Sequence, residues 1–293
     1  MTNMHNNLII LAGGMSSRMK KPAVSKSINI KDAKQANNRS KSLIGVGKEN
    51  RPLMDYLLYN AKKAGYKNIY IVINKNGALF KKFYGSNAEN NNFKGLSISF
   101  PIQTIPEYRE KPFGTADAVY QALEQFPKLK KEPFTVCNSD NLYSIKVLEL
   151  LRKSKSVNSL ISYERNSLEF SLEKIYSFAI MKLDKQNYLK DIIEKPTQEE
   201  AENYQDKNGK IRVSMNIFKL DGPIILEYLK NCPIHPKRNE KELPTVVLNC
   251  IKKHPKSFLT IPVSEHVPDL TAKNDIQIVK KFIEQNYSEN LDW

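Results

Sequence analysis

Apolar residues fall along the chain in short continuous runs separated by longer stretches of helical spacing, an alternation that predicts an α/β fold. Leu8-Ile-Ile-Leu-Ala12 has the length and composition of a buried parallel strand and stops abruptly at Gly13-Gly14. From Met15 to Arg51 the sequence is polar and aperiodic and reads as a long loop. Leu53, Leu57, Ala61 and Ala64 then follow helical spacing up to Gly65, and strands are expected at Ile69–Ile73 and Leu96–Thr104. Thr115–Phe126 is helical, with Ala116, Val119, Ala122 and Leu123 on one face, and Phe134–Cys137 is a strand running into the turn cluster 138–141. Beyond residue 155 strand-like stretches crowd together at 158–163, 174–183 and 211–220. Helices at 222–231 and 244–253, a strand at 257–263 and a helix at 272–286 close the pattern. One continuous domain over 1–293 is expected, with a parallel half (about 1–155) and a mixed half (about 156–293).

Composition supports a packed globular chain: 40% of residues are hydrophobic and 26% charged, which excludes wholesale disorder. No apolar run reaches the ~18–20 residues of a membrane helix, so no membrane partner is expected. The polar start, Met1–Asn7, does not resemble a signal peptide. Cys137, Cys232 and Cys250 form no C-x-x-C pair, which argues against a disulfide framework or a cysteine zinc site and fits a cytoplasmic protein. The four histidines have no metal spacing.

Charge changes the picture. The formal net charge is +15, and between Lys20 and Arg51 nine basic residues face only Asp32 and Glu49. Such a segment attracts phosphates, either of a polyanionic small molecule or of nucleic acid. For most of these lysines a plain solvated face is the favoured reading. A nucleic-acid platform is disfavoured because aromatics do not interleave with the basic residues between Met19 and Arg51.

The chemistry begins at Leu11-Ala-Gly-Gly-Met-Ser-Ser-Arg-Met19. A buried strand ending in two glycines lets main-chain N–H groups approach a phosphate, and Arg18 adds a planar fork for its oxygens. The segment is neither a P-loop nor a dinucleotide fingerprint, and Ser16 and Ser17 lack the context of a nucleophilic serine.

Taken with Lys41-Ser-Leu43 and Pro52-Leu-Met-Asp-Tyr56 ahead of a helix ending Lys63-Ala-Gly65, the signature resembles the sugar-1-phosphate nucleotidyltransferases. The likeness continues in order through Lys111-Pro-Phe-Gly-Thr-Ala116, Val136-Cys-Asn-Ser-Asp140, Ile193-Glu-Lys-Pro196 and Val213-Ser-Met-Asn216. Leu243-Pro-Thr-Val-Val247 and Pro268-Asp-Leu-Thr271 are weaker echoes. The match runs over about residues 8–280. It implies a Rossmann-like nucleotidyltransferase (GT-A-like) fold, with a mixed, mainly parallel sheet flanked by helices. The first half would bind nucleotide and the second sugar phosphate.

The implied reaction is attack of a sugar-1-phosphate oxygen on the α-phosphorus of a nucleoside triphosphate, with loss of pyrophosphate. Because a phosphate monoester has its second pKa near about 6, the nucleophile is already an anion and needs no general base. Alignment and charge neutralisation must carry catalysis. The resemblance implies Mg²⁺ held by Asp140 and Asp269, and catalytic cations at Arg18, Lys41 and Lys195. Leu11, Ala12, Gly13, Gly14, Arg18, Gly114, Thr115 and Asp140 would contact the nucleotide, and Glu194, Lys195 and Asn216 the sugar phosphate.

Plainer roles stand beside these. Asp140 could cap a helix near Ser144, Asp269 could be a turn residue, and Thr115 could cap its own helix. Glu194 and Lys195 could be solvated surface charge, and Asn216 a structural residue within a strand. About twenty residues are inserted between Met19 and Lys41, so Lys20, Lys21 or Lys26 could take the place of Lys41. The opening signature is also shared by cytidylyltransferases acting on phosphocholine or polyol phosphates, whereas Glu194-Lys-Pro196 favours the sugar branch. A basic regulatory or nucleic-acid-binding module without catalysis is the rival of a different class. Nucleobase, sugar and oligomeric state are not legible.

Overall fold

The computed structural model describes residues 4–21, 29–194 and 196–293. Its strands are β1 (Asn7–Leu11), β2 (Asn68–Val72), β3 (Asn91–Phe93), β4 (Leu96–Ser99), β5 (Pro133–Asn138), β6 (Asn158–Glu164), β7 (Ile180–Leu183), β8 (Leu189–Ile193), β9 (Arg212–Val213), β10 (Ile217–Asp221) and β11 (Phe258–Val263). Among the described residues they join one sheet in the order β3-β4-β2-β1-β5-β10-β6-β9-β7-β8, with β11 also paired to β6. The run β4-β2-β1-β5 is parallel, as the α/β reading requires. β10 then enters antiparallel beside β5 and begins the mixed half.

The sheet is buried on both faces, which explains the uninterrupted apolar run of β1. Leu8 and Ile10 join one apolar cluster and Ile9 the other, as strand alternation dictates. Helix Leu53–Lys63 packs on the first face. Helices Thr115–Gln125, Gly222–Lys230 and Leu243–Lys253 cover the second.

Four departures from the expected pattern stand out. The strand expected at 174–183 is confined to Ile180–Leu183, because Leu172–Tyr176 forms a short helix. The stretch 211–220 is broken between Val213 and Ile217, where Asn216 adopts a left-handed conformation with φ 53°. β8 and the helix Ala78–Tyr84 have no counterpart in the hydrophobic pattern.

The fourth departure is the basic insertion. Part of the stretch read as loop folds as helix Ile30–Asn38, capped by the Asn29 side chain. Its buried face is Asp32, Gln35 and a single apolar residue, Ala36. Asp32, 1% exposed, accepts from Lys280 Nζ at 2.7 and 2.8 Å and from Gln277 Nε2 at 2.8 Å, both on the C-terminal helix Asp275–Asn286. Gln35 Oε1 accepts from Gly45 N and from Arg39 Nη1, each at 2.9 Å. A helix docked through Asp and Gln leaves no apolar period to detect.

Removing one partner of a buried ion pair strands the other, at about 3–5 kcal/mol. Lys280→Met should therefore lower the melting temperature by several degrees and speed amide exchange over 30–38. Unchanged melting and exchange would show that the Asp32 contact does not hold the insertion.

Candidate active site

The site grows from the paired ends of β1 and β5. Leu11 lies opposite Asn138, and Ser139 N donates to Leu11 O at 3.2 Å, so both chains leave the sheet side by side. After β1 the chain turns through Gly13 and Gly14. A Cβ on Gly13 would come within 3.2 Å of Gln103 Oε1, so a larger residue would crowd the loop. Met19 is buried and anchors the short helix Ser17–Lys20, while Arg18 on the same helix is exposed.

Across the opening stands the turn before helix Thr115–Gln125. Gly114 has φ 105°, and a Cβ there would lie 2.6 Å from Lys241 O, so the position needs glycine. Gln103 Nε2 donates to Gly114 O at 3.0 Å and to Asp117 Oδ2 at 2.9 Å, while its main-chain N donates to Ile73 O at 2.8 Å, so this turn is tied to the end of β2. Thr115 does not cap its own helix; its Oγ1 accepts from Leu243 N at 3.0 Å, at the start of helix Leu243–Lys253. Leu11–Arg18, Lys41, Gly114, Thr115 and Asp140 wall a cavity of about 370 Å³.

Asp140 follows β5 at the floor of that cavity. It is not a helix cap: Ser144 accepts from Val147 N at 3.1 Å and caps helix Ile145–Lys153 itself. The chain carrying Asp269 pairs with it as an isolated antiparallel bridge, Asn141 to Asp269, with Leu270 N donating to Asp140 O at 2.8 Å. Asp140 and Asp269 thus line one cavity. Lys41 Nζ lies 2.7 Å from Asp140 Oδ2, and Lys174 Nζ 2.9 Å from Asp269 Oδ2. Thr271 Oγ1 also donates to Asp269 at 2.7 Å. Asp275 Oδ2 accepts from Thr271 N at 2.9 Å and from Ala272 N at 2.6 Å and so holds the turn that follows Asp269.

A second cavity, of about 700 Å³, shares Arg18, Thr115, Asn138 and Asp140 with the first. Its far wall carries Glu194, Asn216 and Arg238. Arg238 bridges Glu194 at 2.9 Å and Glu242 at 2.7 Å. Burial pushes the Glu242 carboxyl above its usual range, against the pull of Arg238. Asn216 sits in a left-handed turn, which Asn tolerates better than most residues, rather than inside a strand.

Lys195 and Lys26 lie outside the described residues. Lys20 and Lys21 are exposed beyond the glycine loop, and the lysine set against Asp140 is Lys41. Sequence reasoning missed Gln103, Lys174 and Arg238. Gln103 and Arg238 lie in stretches without period or motif, and Lys174 in a helix whose aromatic and β-branched neighbours read as strand.

The two carboxylates fit a hard divalent ion. Mg²⁺ commonly takes one or two carboxylates and completes its shell with water and substrate phosphate. Among the described residues no group of three or more His, Cys, Asp or Glu is arranged to hold a metal, so the protein offers that partial set rather than a cage. Cys137, near the end of β5, is fully buried, and that burial, reinforced by the Asp140 charge, raises its thiol pKa. Among the described residues no helix is long and apolar enough to cross a membrane.

Comparison with known proteins fits this geometry. The chain is 25% identical over 289 residues to a glucose-1-phosphate adenylyltransferase of Francisella tularensis subsp. novicida (strain U112), covering 95% of this chain and 63% of the relative. A glucose-1-phosphate adenylyltransferase of Photobacterium profundum is 23% identical over 216 residues, 73% of this chain and 49% of the relative. The chain therefore spans roughly half to two-thirds of the length of these relatives. A solved UDP-glucose pyrophosphorylase complexed with UDP-glucose superposes with a TM-score of 0.70 at 16% identity, over 97% of this chain and 100% of that one, and so shares the fold. The family model described as nucleotidyl transferase matches residues 8–258. With most of its length inside that match, the chain belongs to the nucleotidyl transferase family.

Proposed function

We propose that the protein transfers a nucleotidyl group from a nucleoside triphosphate to a sugar-1-phosphate, releasing pyrophosphate. The observation that carries this reading is the pair of cavities meeting at Arg18 and Asp140. One is walled by a glycine-rich strand end, the other by the polar groups of Glu194, Asn216 and Arg238. In the reaction a sugar-phosphate oxygen forms a bond to the α-phosphorus. The bond to the bridging oxygen breaks, and pyrophosphate leaves with the electron pair. The acceptor is already anionic, so the protein's task is to align two polyanions and offset their charge.

Main-chain N–H groups of Leu11–Gly14, with Arg18 and Lys41, take the triphosphate, and the Gly114–Thr115 turn takes the nucleobase. Glu194 and Asn216 orient the sugar, and Lys195 holds its phosphate. Asp140 and Asp269 are the residues that would hold Mg²⁺, which when bound withdraws charge from the α-phosphate and the departing pyrophosphate. The names of the relatives make glucose 1-phosphate the first acceptor to try. The buried free thiols suit a reducing cytoplasm.

A pyrophosphate-release screen of the common triphosphates against sugar-1-phosphates, phosphocholine and polyol phosphates tests the reading. At least one triphosphate with a sugar-1-phosphate should turn over with Mg²⁺ and stop on adding EDTA. Turnover only with the non-sugar phosphates, or turnover indifferent to EDTA, would contradict it. Within an active pair, Lys195→Ala should raise KM for the sugar phosphate far more than KM for the triphosphate. Equal effects on both substrates would remove Lys195 from that role.

A further inference from the structure

Each of the two candidate metal carboxylates already has a cation of the protein's own. Lys41 lies 2.7 Å from Asp140, with side chains 13% and 23% accessible, and Lys174 lies 2.9 Å from Asp269, with side chains 24% and 11% accessible. Both pairs are largely withdrawn from solvent, where screening is weak. Lys174 is further held by the ring of Phe170, 4.3 Å from its ammonium, and by Asp275 Oδ1 at 3.9 Å. Thr271 occupies the same Asp269 carboxylate from another side. The lysines come from unrelated parts of the chain, Lys41 from the end of the insertion and Lys174 from helix Leu172–Tyr176. Nothing in the sequence pattern assigns a role to Lys174.

Resting on the nucleotidyl-transfer reading, we propose that Lys41 and Lys174 are built-in counter-ions that keep Asp140 and Asp269 closed to a free divalent ion, so that the ion comes in on substrate phosphate. A carboxylate already bonded to an ammonium attracts a second cation weakly, and the ammonium itself repels it at short range. Polyphosphate reverses this balance, because its oxygens compete for the ammonium groups. Lys41 lines the cavity of the glycine-rich loop, and Lys174 lines the cavity of Glu194 and Asn216. Each lysine therefore stands where a different substrate phosphate can draw it from its carboxylate. Lys174 acts here as a positioning residue.

The test is a Mn²⁺ titration of the full chain with no substrate present, read from the electron paramagnetic resonance signal of the free ion. The wild-type protein should bind Mn²⁺ weakly. Lys174→Met and Lys41→Met should each tighten binding about tenfold or more, since an ammonium beside the ion is removed. The double variant should bind tighter still, and Asp140→Asn added to it should abolish the gain. Lys174→Arg, which keeps the charge, should bind as weakly as wild type. Equal affinity across these proteins overturns the proposal. So does saturation of the wild type at micromolar Mn²⁺, which decides the matter even if a variant does not fold. Because no substrate takes part, failure here leaves nucleotidyl transfer standing, and failure of the pyrophosphate screen leaves the titration interpretable.

Discussion

The parallel pairing of β1 with β5 is the constraint on which the site depends. Two neighbouring parallel strands end at the same edge of a sheet, so whatever follows them is forced together. Here Leu11 opposite Asn138 brings a glycine-rich loop and a carboxylate to one place without any direct contact between them being required. Burial on both faces fixes this register, because a one-residue slip of β1 would exchange Ile9 with Leu8 and Ile10 between two separate cores. β10, antiparallel beside β5, then delivers Asn216 to the same edge and joins the second half of the chain to the first.

Around that edge the groups are held by contacts that cross the molecule. Gln103 ties the Gly114 turn to Ile73, just past the end of β2, and Thr115 ties that turn to the helix beginning at Leu243. The insertion is anchored to the C-terminal helix by Asp32 and runs directly into the segment that sets Lys41 on Asp140. Asp269 arrives by main-chain pairing with Asn141, a more rigid placement than a side-chain contact would give. Charged groups thus meet in compensated pairs, an arrangement suited to a site that must accept two polyanions.

Much of this was legible in the residues. An apolar run cut off by two glycines, a glycine ahead of a helical pattern, and Asp140 just past a buried strand each have a local physical signature, and each stands at the strand or helix end that its pattern predicts. Other parts leave no such mark. Helix Ile30–Asn38 buries Asp32 and Gln35 instead of an apolar stripe, so its sequence reads as loop. Asn216 interrupts a stretch of strand-forming residues by adopting φ 53°, which composition does not reveal. Lys174 matters through Asp269 and Arg238 through Glu194, partners far away along the chain, and such pairings exist only once the sheet has formed.

The claim that this strand edge is a reaction centre stands most directly on Asp140. Asp140→Asn keeps the shape of the side chain and removes its charge. The Lys41 pair that it loses is mostly buried but lines the cavity, where water can reach the released ammonium, so the cost in folding stability is small beside the loss in turnover. In an active substrate pair at saturating Mg²⁺, kcat should fall on the order of a thousandfold, while the melting temperature stays close to that of the wild type. A folded Asp140→Asn protein with near wild-type turnover would contradict the account.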